Sequence, residues 1–378
     1  MKKLWIGIGI AGVVALAIML TLTRTKEELK EIKVGAICPL TGDAAVYGQW
    51  FKNGIDLALE EINSQGGIKN RKLIVIYEDS RADPKEGISA VQKLITVHNV
   101  SAIIGAMASS VTLAIAPIAE KNKVVLLSPA SSAPKITYAG DYVFRNWPSD
   151  VFEGKIMVDF AYEKLDIKRV AVLYINNEYG VGIKDVFETY FRKRGGMIVN
   201  SESYEQGATD FRTQLTKIKS KQPEAIYLPT MAKEAGQILR QAQEIGVQAQ
   251  FLSVMGVEAP IVLKVAGKAA EGVIYSYPGF DPESPSEIVQ RFQAKYMAKY
   301  GEKAEAFAAH SYDALKIIAS AIEKADCNAD GIKNVLYEIK DFPGVTGQTT
   351  FDENGDVIKP VMIKVIKDGK FAPYPSAY

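Results

Sequence analysis

The sequence is poor in the side chains on which most metal centres and disulfide frameworks depend. Its 378 residues include two histidines, His98 and His310, and two cysteines, Cys38 and Cys327. So small a supply argues against a histidine-rich metal site and against a disulfide-stabilised scaffold. A Cys38–Cys327 disulfide stays as an alternative, but Cys38 ends an apolar segment, which favours a buried free thiol.

An excess of charge of either sign is also missing. The chain has 45 basic and 44 acidic residues, which give a formal net charge of +1, and the two signs are interspersed. Proteins that bind nucleic acid usually present a strongly basic surface. We therefore expect no nucleic-acid partner.

Signatures of nucleotide binding and of catalysis are missing where they would be expected. No G-x-G-x-x-G motif follows the first predicted strand, and no G-x-x-x-x-G-K-[ST] loop occurs. No nucleophile, general base or metal-ligand cluster accompanies the turn between the first predicted strand and the helix that follows it. These absences predict a protein that is not an enzyme and that holds no cofactor.

An uncharged apolar run lies at residues 4–20, and Lys2 and Lys3 precede it. A helix of about 20 residues rises about 30 Å, enough to cross the hydrocarbon core of a bilayer. The next segment, LTLTRTK, offers no pair of small residues for signal peptidase. We therefore predict an uncleaved N-terminal hydrophobic helix that tethers the chain to the membrane through residues 4–23, with a cleaved signal peptide as the alternative. Residues 1–31 then form this anchor and a charged stalk, and the rest of the chain lies outside the cytoplasm.

Beyond residue 31, short apolar segments alternate with amphipathic ones. Strands are predicted at Lys33–Cys38, Leu73–Tyr77, Ala102–Gly105 and Val124–Ser128, and helices at 47–64, 84–98 and 109–121. A second series begins near Pro148, with strands at Arg169–Ile175, Met197–Asn200, Ala225–Pro229, Phe251–Val254 and Gly272–Tyr275. Continuous apolar strands separated by helices are typical of parallel sheets that are covered on both faces. The pattern predicts an α/β fold with two doubly wound parallel-sheet lobes.

The last part of the chain shows a different pattern. Two helices are predicted at 281–300 and 307–324. Residues 347–351 and 359–365 then predict an antiparallel hairpin, joined by the DENGD turn at 352–356.

Two strand-to-helix turns have the composition of a ligand site. Ser109 and Ser110 stand between a strand and a helix, where a serine N-cap leaves backbone N–H groups free to receive a carboxylate. Ala130 and Ser132 follow the next strand and can add backbone and hydroxyl hydrogen bonds. Because ligands bind at the carboxyl ends of strands in open α/β sheets, we expect these residues to lie together.

Two tyrosines occupy similar places in the two predicted lobes. Tyr47 and Tyr179 each precede a glycine in a strand-to-helix turn. Two aromatic rings that face each other across a cleft can bury an apolar ligand. Packing of each ring against its own lobe is the alternative.

The order of short motifs along the chain resembles that of the type I periplasmic binding proteins of the leucine/isoleucine/valine-binding class, which serve ABC importers. The motifs are PLTGDAAVYG, NSQGGI, EDSRADP, IIGAMASSVT, SPASSAP, FRNWPSD, NNEYGVG, AGQILRQAQEIG, SYDAL and FDENGDV. The resemblance covers about residues 32–370 and implies two lobes joined by a three-strand hinge, with the ligand in the cleft between them. The implied segments are 32–147 plus 278–343 for lobe one, 148–277 plus 344–378 for lobe two, and connections near 147–149, 277–280 and 343–347.

The resemblance also implies roles for individual residues. Ser109, Ala130 and Ser132 correspond to positions that hold the carboxylate and ammonium groups of an amino acid. Met231 stands where the branched-chain binder has a tyrosine, and Met107 lies in the loop before Ser109. Methionine at both positions predicts an adaptable apolar wall, and core packing is the alternative for each.

One position departs from the pattern of the family. Met255, with Gly256 beside it, stands where the amino-acid binders carry a carboxylate that pairs with the ligand ammonium. A buried ammonium without a counter-charge is costly, so either Glu258 reaches into the site or the ligand has no ammonium. Phe307 and Trp147 are further candidates for the wall.

These observations predict an extracytoplasmic solute-binding protein of an ABC importer, which captures a small carboxylate-bearing ligand by closing its two lobes. The expected ligand is a branched-chain or other apolar amino acid, or an apolar or aromatic acid. The expected partners are this ligand and an ABC permease in the membrane, and the protein is expected to be mostly monomeric. A ligand-sensing ectodomain of the same fold, which signals to a membrane partner, is the alternative function.

Overall fold

The computed structural model describes residues 31–375. The N-terminal part of this range folds around a five-stranded parallel sheet. Its elements are β1 (Ile32–Cys38), α1 (Ala45–Ser64), β2 (Leu73–Asp79), α2 (Pro84–Thr96), β3 (Ala102–Gly105), α3 (Ser109–Lys121), β4 (Val125–Ser128) and β5 (Val143–Arg145). The strand order is β2-β1-β3-β4-β5. Every residue of β3 and β4 is buried, as expected for strands that have helices on both faces. This sheet and its helices are called the first lobe below.

The chain then builds a seven-stranded sheet, which with its helices is called the second lobe. Its first elements are α4 (Asp150–Asp159), β6 (Arg169–Ile175), α5 (Glu178–Lys193), β7 (Met197–Tyr204), α6 (Arg212–Ser220), β8 (Ala225–Leu228), α7 (Ala232–Glu244), β9 (Gln250–Ser253), α8 (Pro260–Ala266) and β10 (Ile274–Pro278). The pairs β6–β7, β6–β8, β8–β9 and β9–β10 are parallel. The intervening helices join these parallel strands, as crossover connections do in α/β units.

After β10 the chain returns to the first lobe before it ends in the second. The remaining elements are α9 (Glu287–Tyr300), α10 (Ala306–Ala325), α11 (Ala329–Glu338), β11 (Phe342–Gly344), β12 (Gly347–Thr349), β13 (Val361–Lys367) and β14 (Lys370–Pro373). Helix α10 packs against α1 so closely that a Cβ on Gly54 would lie 2.0 Å from the Ala308 carbonyl oxygen. Glycine therefore permits this helix crossing. Strand β13 pairs antiparallel with β10, with Val365 opposite Ile274.

The predicted α/β fold with two largely parallel sheets is confirmed. The bounds of β3, α3 and β6 are those predicted from the sequence. Local signals explain the start of α2, where the Asp83 side chain accepts hydrogen bonds from the Lys85 and Glu86 amides and Pro84 is the first helical residue.

The predicted C-terminal hairpin is wrong. Strand β12 pairs with β11, and β13 pairs with β10 and β14, so the two predicted arms do not pair with each other. A single bridge between Phe351 and Val357 closes the predicted turn. Phe351 is buried, and its ring centroid lies 5.4 Å from that of Phe144 in β5. Packing on the first lobe therefore takes the place of strand pairing in this segment.

The segment that follows β11 contacts the first lobe. The Val345 and Thr346 amides each donate to the Asp313 carboxylate of α10 at 2.9 Å. Further along, the Asp356 carboxylate accepts two hydrogen bonds of 2.7 Å from the Arg145 guanidinium. We therefore propose that residues 344–357 belong to lobe one and that the third connection lies near residues 358–360, not at 343–347. The other lobe boundaries stay predictions.

Two further sequence expectations concern the leader and the cysteines. The predicted hydrophobic helix, with its anchor at residues 4–23, lies outside the described residues. Within residues 31–375, no helix is long and apolar enough to cross a membrane. Cys38 is buried and Cys327 is exposed, and both are free thiols, so the alternative of a disulfide between them is not adopted.

Candidate ligand-binding site

A cavity lies between the two lobes, at the carboxyl ends of their parallel strands. Its empty space amounts to about 930 Å³, part of which is open to solvent. All of the predicted site residues line it, namely Tyr47, Met107, Ser109, Ala130, Ser132, Tyr179, Met231, Met255, Gly256 and Phe307. Further lining residues are Asp43, Ala44, Ala82, Ala108, Ser110, Trp147, Glu153, Asn177, Gln206, Lys233 and Glu234. The chain therefore brings these separate segments to one place.

One wall of the cavity contains the amino end of α3. The predicted serine N-cap is wrong, because the cap position is Ala108, which has no capping side chain, and the helix begins at Ser109. The Ser109 hydroxyl instead accepts a hydrogen bond of 3.2 Å from the Ala133 amide. The first N–H groups of a helix have no partner within the helix. Without a side-chain cap, this helix end is suited to receive an anion.

A buried hydroxyl network fixes the loop that leads into α3. The Ser128 hydroxyl donates to the Ala106 carbonyl at 2.7 Å and accepts from the Ser131 amide at 2.9 Å. The Thr112 and Ser131 hydroxyls lie 2.7 Å apart. Because all three side chains are buried, these hydrogen bonds hold the loops after β3 and β4 in a fixed relation.

The fully buried Arg145 supports the loop that carries Ser132. Its Nη1 donates to the carbonyls of Ser132 and Ala133 at 3.0 and 2.9 Å. Its other nitrogens bind Asp356 and the Thr137 hydroxyl. Sequence reasoning did not single out Arg145, although a charged residue within an apolar strand is an available signal.

An aromatic cluster forms another wall. The Tyr47 and Phe307 rings meet edge to face with centroids 5.2 Å apart, and Trp147 stacks on Phe307 at 5.0 Å. Tyr47 lies in the first turn of α1, close to the predicted helix start, and Tyr179 lies in the first turn of α5 instead of the turn before it. Helix starts place both rings at the cavity all the same.

Tyr47 also joins the two lobes. Its hydroxyl accepts from the Ala232 amide at 2.8 Å and donates to the Gly256 carbonyl at 3.2 Å. Burial raises the pKa of Tyr47, so the hydroxyl stays protonated and able to donate. Together with an ion pair of 2.8 Å between Asp43 and Lys233, these contacts hold the lobes against each other.

Three methionines complete the apolar part of the wall. Met107 and Met255 are each 5 % exposed, and Met231 is half-buried at the N-cap of α7. All three line the cavity, and thioether side chains can adapt to ligands of different shape. This part of the cavity wall is therefore apolar.

Glu258 does not line the cavity. Its Oε1 accepts from the Lys364 ammonium at 2.7 Å, and its Oε2 accepts from the Tyr275 hydroxyl at 2.5 Å. Both carboxylate oxygens are therefore engaged within the second lobe, away from the residues that surround the cavity.

Glu153 is a wall residue that sequence reasoning missed. It lies on α4, is 4 % exposed, and accepts a hydrogen bond of 2.6 Å from the Ser276 hydroxyl of β10. Burial raises the pKa of Glu153 to about 7. Burial and the nearby acids Glu153 and Asp150 also raise the pKa of Tyr179, another wall residue. An acid in the first turn of a helix is ordinarily explained by the helix dipole, so the local pattern does not single out Glu153.

The comparisons with known proteins agree with this architecture. A family model described as periplasmic binding protein matches residues 31–370. The Leu/Ile/Val-binding protein homolog 3 of Brucella melitensis is 29% identical over 335 residues, which cover 87% of this chain and 89% of that protein. The branched-chain amino acid transporter substrate-binding protein LivJ of Streptococcus pneumoniae, solved in complex with isoleucine, is 34% identical with a TM-score of 0.84, and the match covers 90% of this chain and 98% of that one.

A further similar structure was solved with a different kind of ligand. It is an ABC transporter solute-binding protein of Rhodopseudomonas palustris in complex with 3,4-dihydroxybenzoic acid, 26% identical with a TM-score of 0.80. The match covers 91% of this chain and 95% of that one. With the two-lobed fold and the cavity between the sheets, these similarities establish that the chain belongs to the periplasmic binding protein family, in its leucine/isoleucine/valine-binding class, whose members bind solutes and are not enzymes.

Proposed function

We propose that this chain is the extracytoplasmic solute-binding protein of an ABC importer and that it captures a small carboxylate-bearing ligand. The cavity between the lobes is the observation that carries this proposal. It has the uncapped amino end of α3 in one wall, which favours an anion, and aromatic and methionine side chains in the others, which favour a nonpolar body. The ligand is then a branched-chain or other apolar amino acid, or an apolar or aromatic acid.

The wall residues are assigned to parts of the ligand by their chemistry and by the lobe that carries them. Ser109, Ala130 and Ser132 surround the helix end and are assigned to the polar groups of the ligand. The rings of Tyr47 and Phe307 are assigned to its apolar body. The residues assigned on the second lobe are Tyr179, Met231, Met255 and Gly256, with Met107 completing the wall on the first.

Ligand capture proceeds by closure of the two lobes around the cavity. The ligand first meets the α3 wall of the first lobe. The second lobe then swings over it and forms the hydrogen bonds between the Tyr47 hydroxyl and both Ala232 and Gly256. Because these bonds join the lobes, they exist only in the closed form. The rims that closure brings together dock on the permease.

The remaining parts of the proposal concern the place and state of the protein. Residues 4–23 tether it to the membrane, so that the two lobes work near the permease. The chain acts mainly as a monomer, and the three connections between the lobes act as its hinge.

A thermal-shift screen of the full chain in mild detergent tests the ligand class. Ligands that bind only the native state raise the melting temperature by mass action. The panel contains leucine, isoleucine, valine and phenylalanine, together with 4-methylpentanoate, 3-phenylpropanoate and benzoate. We expect a saturable shift with at least one carboxylate and none with leucinamide, which lacks the carboxylate. A shift with leucinamide equal to that with leucine would contradict the role of the α3 wall.

Uptake measurements test the importer role. Cells that lack this chain should take up the best ligand of the screen more slowly than the parent strain, and the full chain should restore the rate. A chain truncated to residues 31–378 lacks the proposed tether, so its uptake rate shows how far uptake depends on membrane attachment. Unchanged uptake in the deletion strain would contradict the assignment to an importer.

A further inference from the structure

Three carboxylates lie in the wall of the cavity, and they differ in the groups that stabilise their negative charge. Asp43 is ion-paired with Lys233 at 2.8 Å. Glu234 lies in the first turn of α7, where the helix end favours an anion, and it accepts from the Gly207 amide at 2.8 Å. Glu153 accepts from the Ser276 hydroxyl through Oε1, and among the described residues no side-chain cation is paired with it. Glu153 is therefore the wall acid with the least compensation.

A second buried acid lies beside Glu153 and adds another carboxylate with little positive charge to compensate it. Asp150 lies one turn earlier on α4 and is fully buried, and neither of its carboxylate oxygens has a hydrogen-bond partner within residues 31–375. The neighbouring Arg145 is already engaged by Asp356 through two bonds of 2.7 Å. The amino end of α4 stabilises its two acids in part. Two buried carboxylates nevertheless share this helix end without a side-chain cation of their own.

These surroundings raise the pKa values of both acids. Burial raises the pKa of Glu153 to about 7, and burial together with Glu153 raises the pKa of Asp150 well above its usual value. An ionised carboxylate that is buried and unpaired is costly, so a positive group placed beside Glu153 would favour its charged form. Since Glu153 lines the cavity, a ligand can bring that group.

We infer that Glu153 is the counter-charge for an ammonium group of the ligand, so that the cavity selects an amino acid over the same acid without its amino group. The α3 amino end and Glu153 give the cavity the two opposite electrostatic features of a zwitterion. Met255 offers no charge, and Glu258 is held by Lys364, so neither supplies this group. The inference rests on the proposed function, because it names the ligand class of the same cavity.

Calorimetric titration of the full chain tests the inference with matched pairs of ligands. L-leucine is compared with 4-methylpentanoate, and L-phenylalanine with 3-phenylpropanoate, so that each pair differs by the amino group. We expect the wild-type chain to bind one amino acid far more tightly than its partner. In Glu153→Gln, the affinity for that amino acid should fall about 30-fold or more, as for loss of one partner of a buried charge pair. The affinity for the acid without the amino group should stay within about threefold, because it makes no ion pair there.

Two other variants separate this role from a structural one. Glu188 is a buried acid of the second lobe outside the cavity, paired with Arg192 at 3.0 Å, so Glu188→Gln should keep the discrimination. Thermal unfolding followed by circular dichroism shows whether each variant folds. Should Glu153→Gln not fold, Glu153→Asp keeps the charge but withdraws it by one methylene, and its discrimination must fall below that of the wild type.

Three outcomes would overturn the inference. The first is unchanged discrimination in the Glu153 variants, and the second is its loss in Glu234→Gln instead. The third is a wild-type chain that binds only the acids without amino groups, which leaves the proposed function standing. If no carboxylate in the screen binds, the proposed function fails together with the inference.

Discussion

Removal of the Tyr47 hydroxyl tests lobe closure directly, because this group joins the two lobes across the cavity. In Tyr47→Phe the ring remains, but the hydroxyl no longer accepts from the Ala232 amide at 2.8 Å or donates to the Gly256 carbonyl at 3.2 Å. A net hydrogen bond contributes about 0.5–1.5 kcal/mol, and a buried donor left unsatisfied costs about 1–3 kcal/mol. Taking about 2–3 kcal/mol for both contacts, the closed form should become about 30- to 150-fold less favoured relative to the open form.

A ligand that binds best to the closed form loses apparent affinity by up to the same factor. Calorimetric titration with the tightest ligand of the screen measures this loss. Tyr204→Phe is the matched control, because it removes a buried hydroxyl that donates to the Thr230 hydroxyl at 2.7 Å within the second lobe. It should lower the melting temperature without a comparable loss of affinity. Equal affinity of Tyr47→Phe and the wild type, or equal losses in both variants, would refute the role of Tyr47 in closure.

Three further predictions concern the α3 wall, its support and the wall acid. Ser109→Pro removes the first amide donor of α3 at a position where helices tolerate proline, so the chain should fold but show no ligand-induced thermal shift. Ser109→Ala keeps the amide and should retain more of that thermal shift. Arg145→Met breaks the buried pair with Asp356 and should lower the free energy of unfolding by about 3–5 kcal/mol, as measured by urea titration. A loss below about 1 kcal/mol would contradict the structural role of Arg145. Because the pKa of Glu153 is raised to about 7 and an ammonium pairs with its charged form, amino-acid affinity should be greatest near pH 8 and fall by up to about tenfold per pH unit well below 7. It should fall again at alkaline pH, where the ligand loses its ammonium charge. Asp150, Tyr179 and Tyr227 surround this group, and of these Asp150 is the acid expected to titrate with it. The control is Glu153→Gln, in which the fall of affinity at low pH should be much weaker than in the wild type.

The parts of the structure that local sequence determines could be predicted well. Strand β3 is a short apolar run between turns, and Asp83 with Pro84 marks the start of α2, so these elements need no knowledge of distant residues. The cavity residues Ser109 and Tyr179 could be found because they follow the carboxyl ends of parallel strands, where ligands bind in open α/β sheets.

The parts that depend on distant packing could not be predicted in the same way. The predicted hairpin near residue 350 failed because Phe351 packs against Phe144, which lies far earlier in the chain. Glu153 went unnoticed because its environment depends on Ser276, which is 123 residues away, and on burial that only the folded chain creates. A local pattern of an acid in the first helical turn looks the same whether or not that acid faces a cavity.

The close crossing of α1 and α10 has a consequence for the size of ligand that fits. Gly54 lies about two helical turns beyond Tyr47 on α1, and Ala308 directly follows Phe307 on α10. The backbone contact between Gly54 and Ala308 thus sets the separation of two helices whose rings form one wall. A side chain at position 54 would push the two helices apart and so separate the rings that form this wall, without contacting the ligand. Ligand preference in such proteins can therefore change through a residue that lies behind the binding surface.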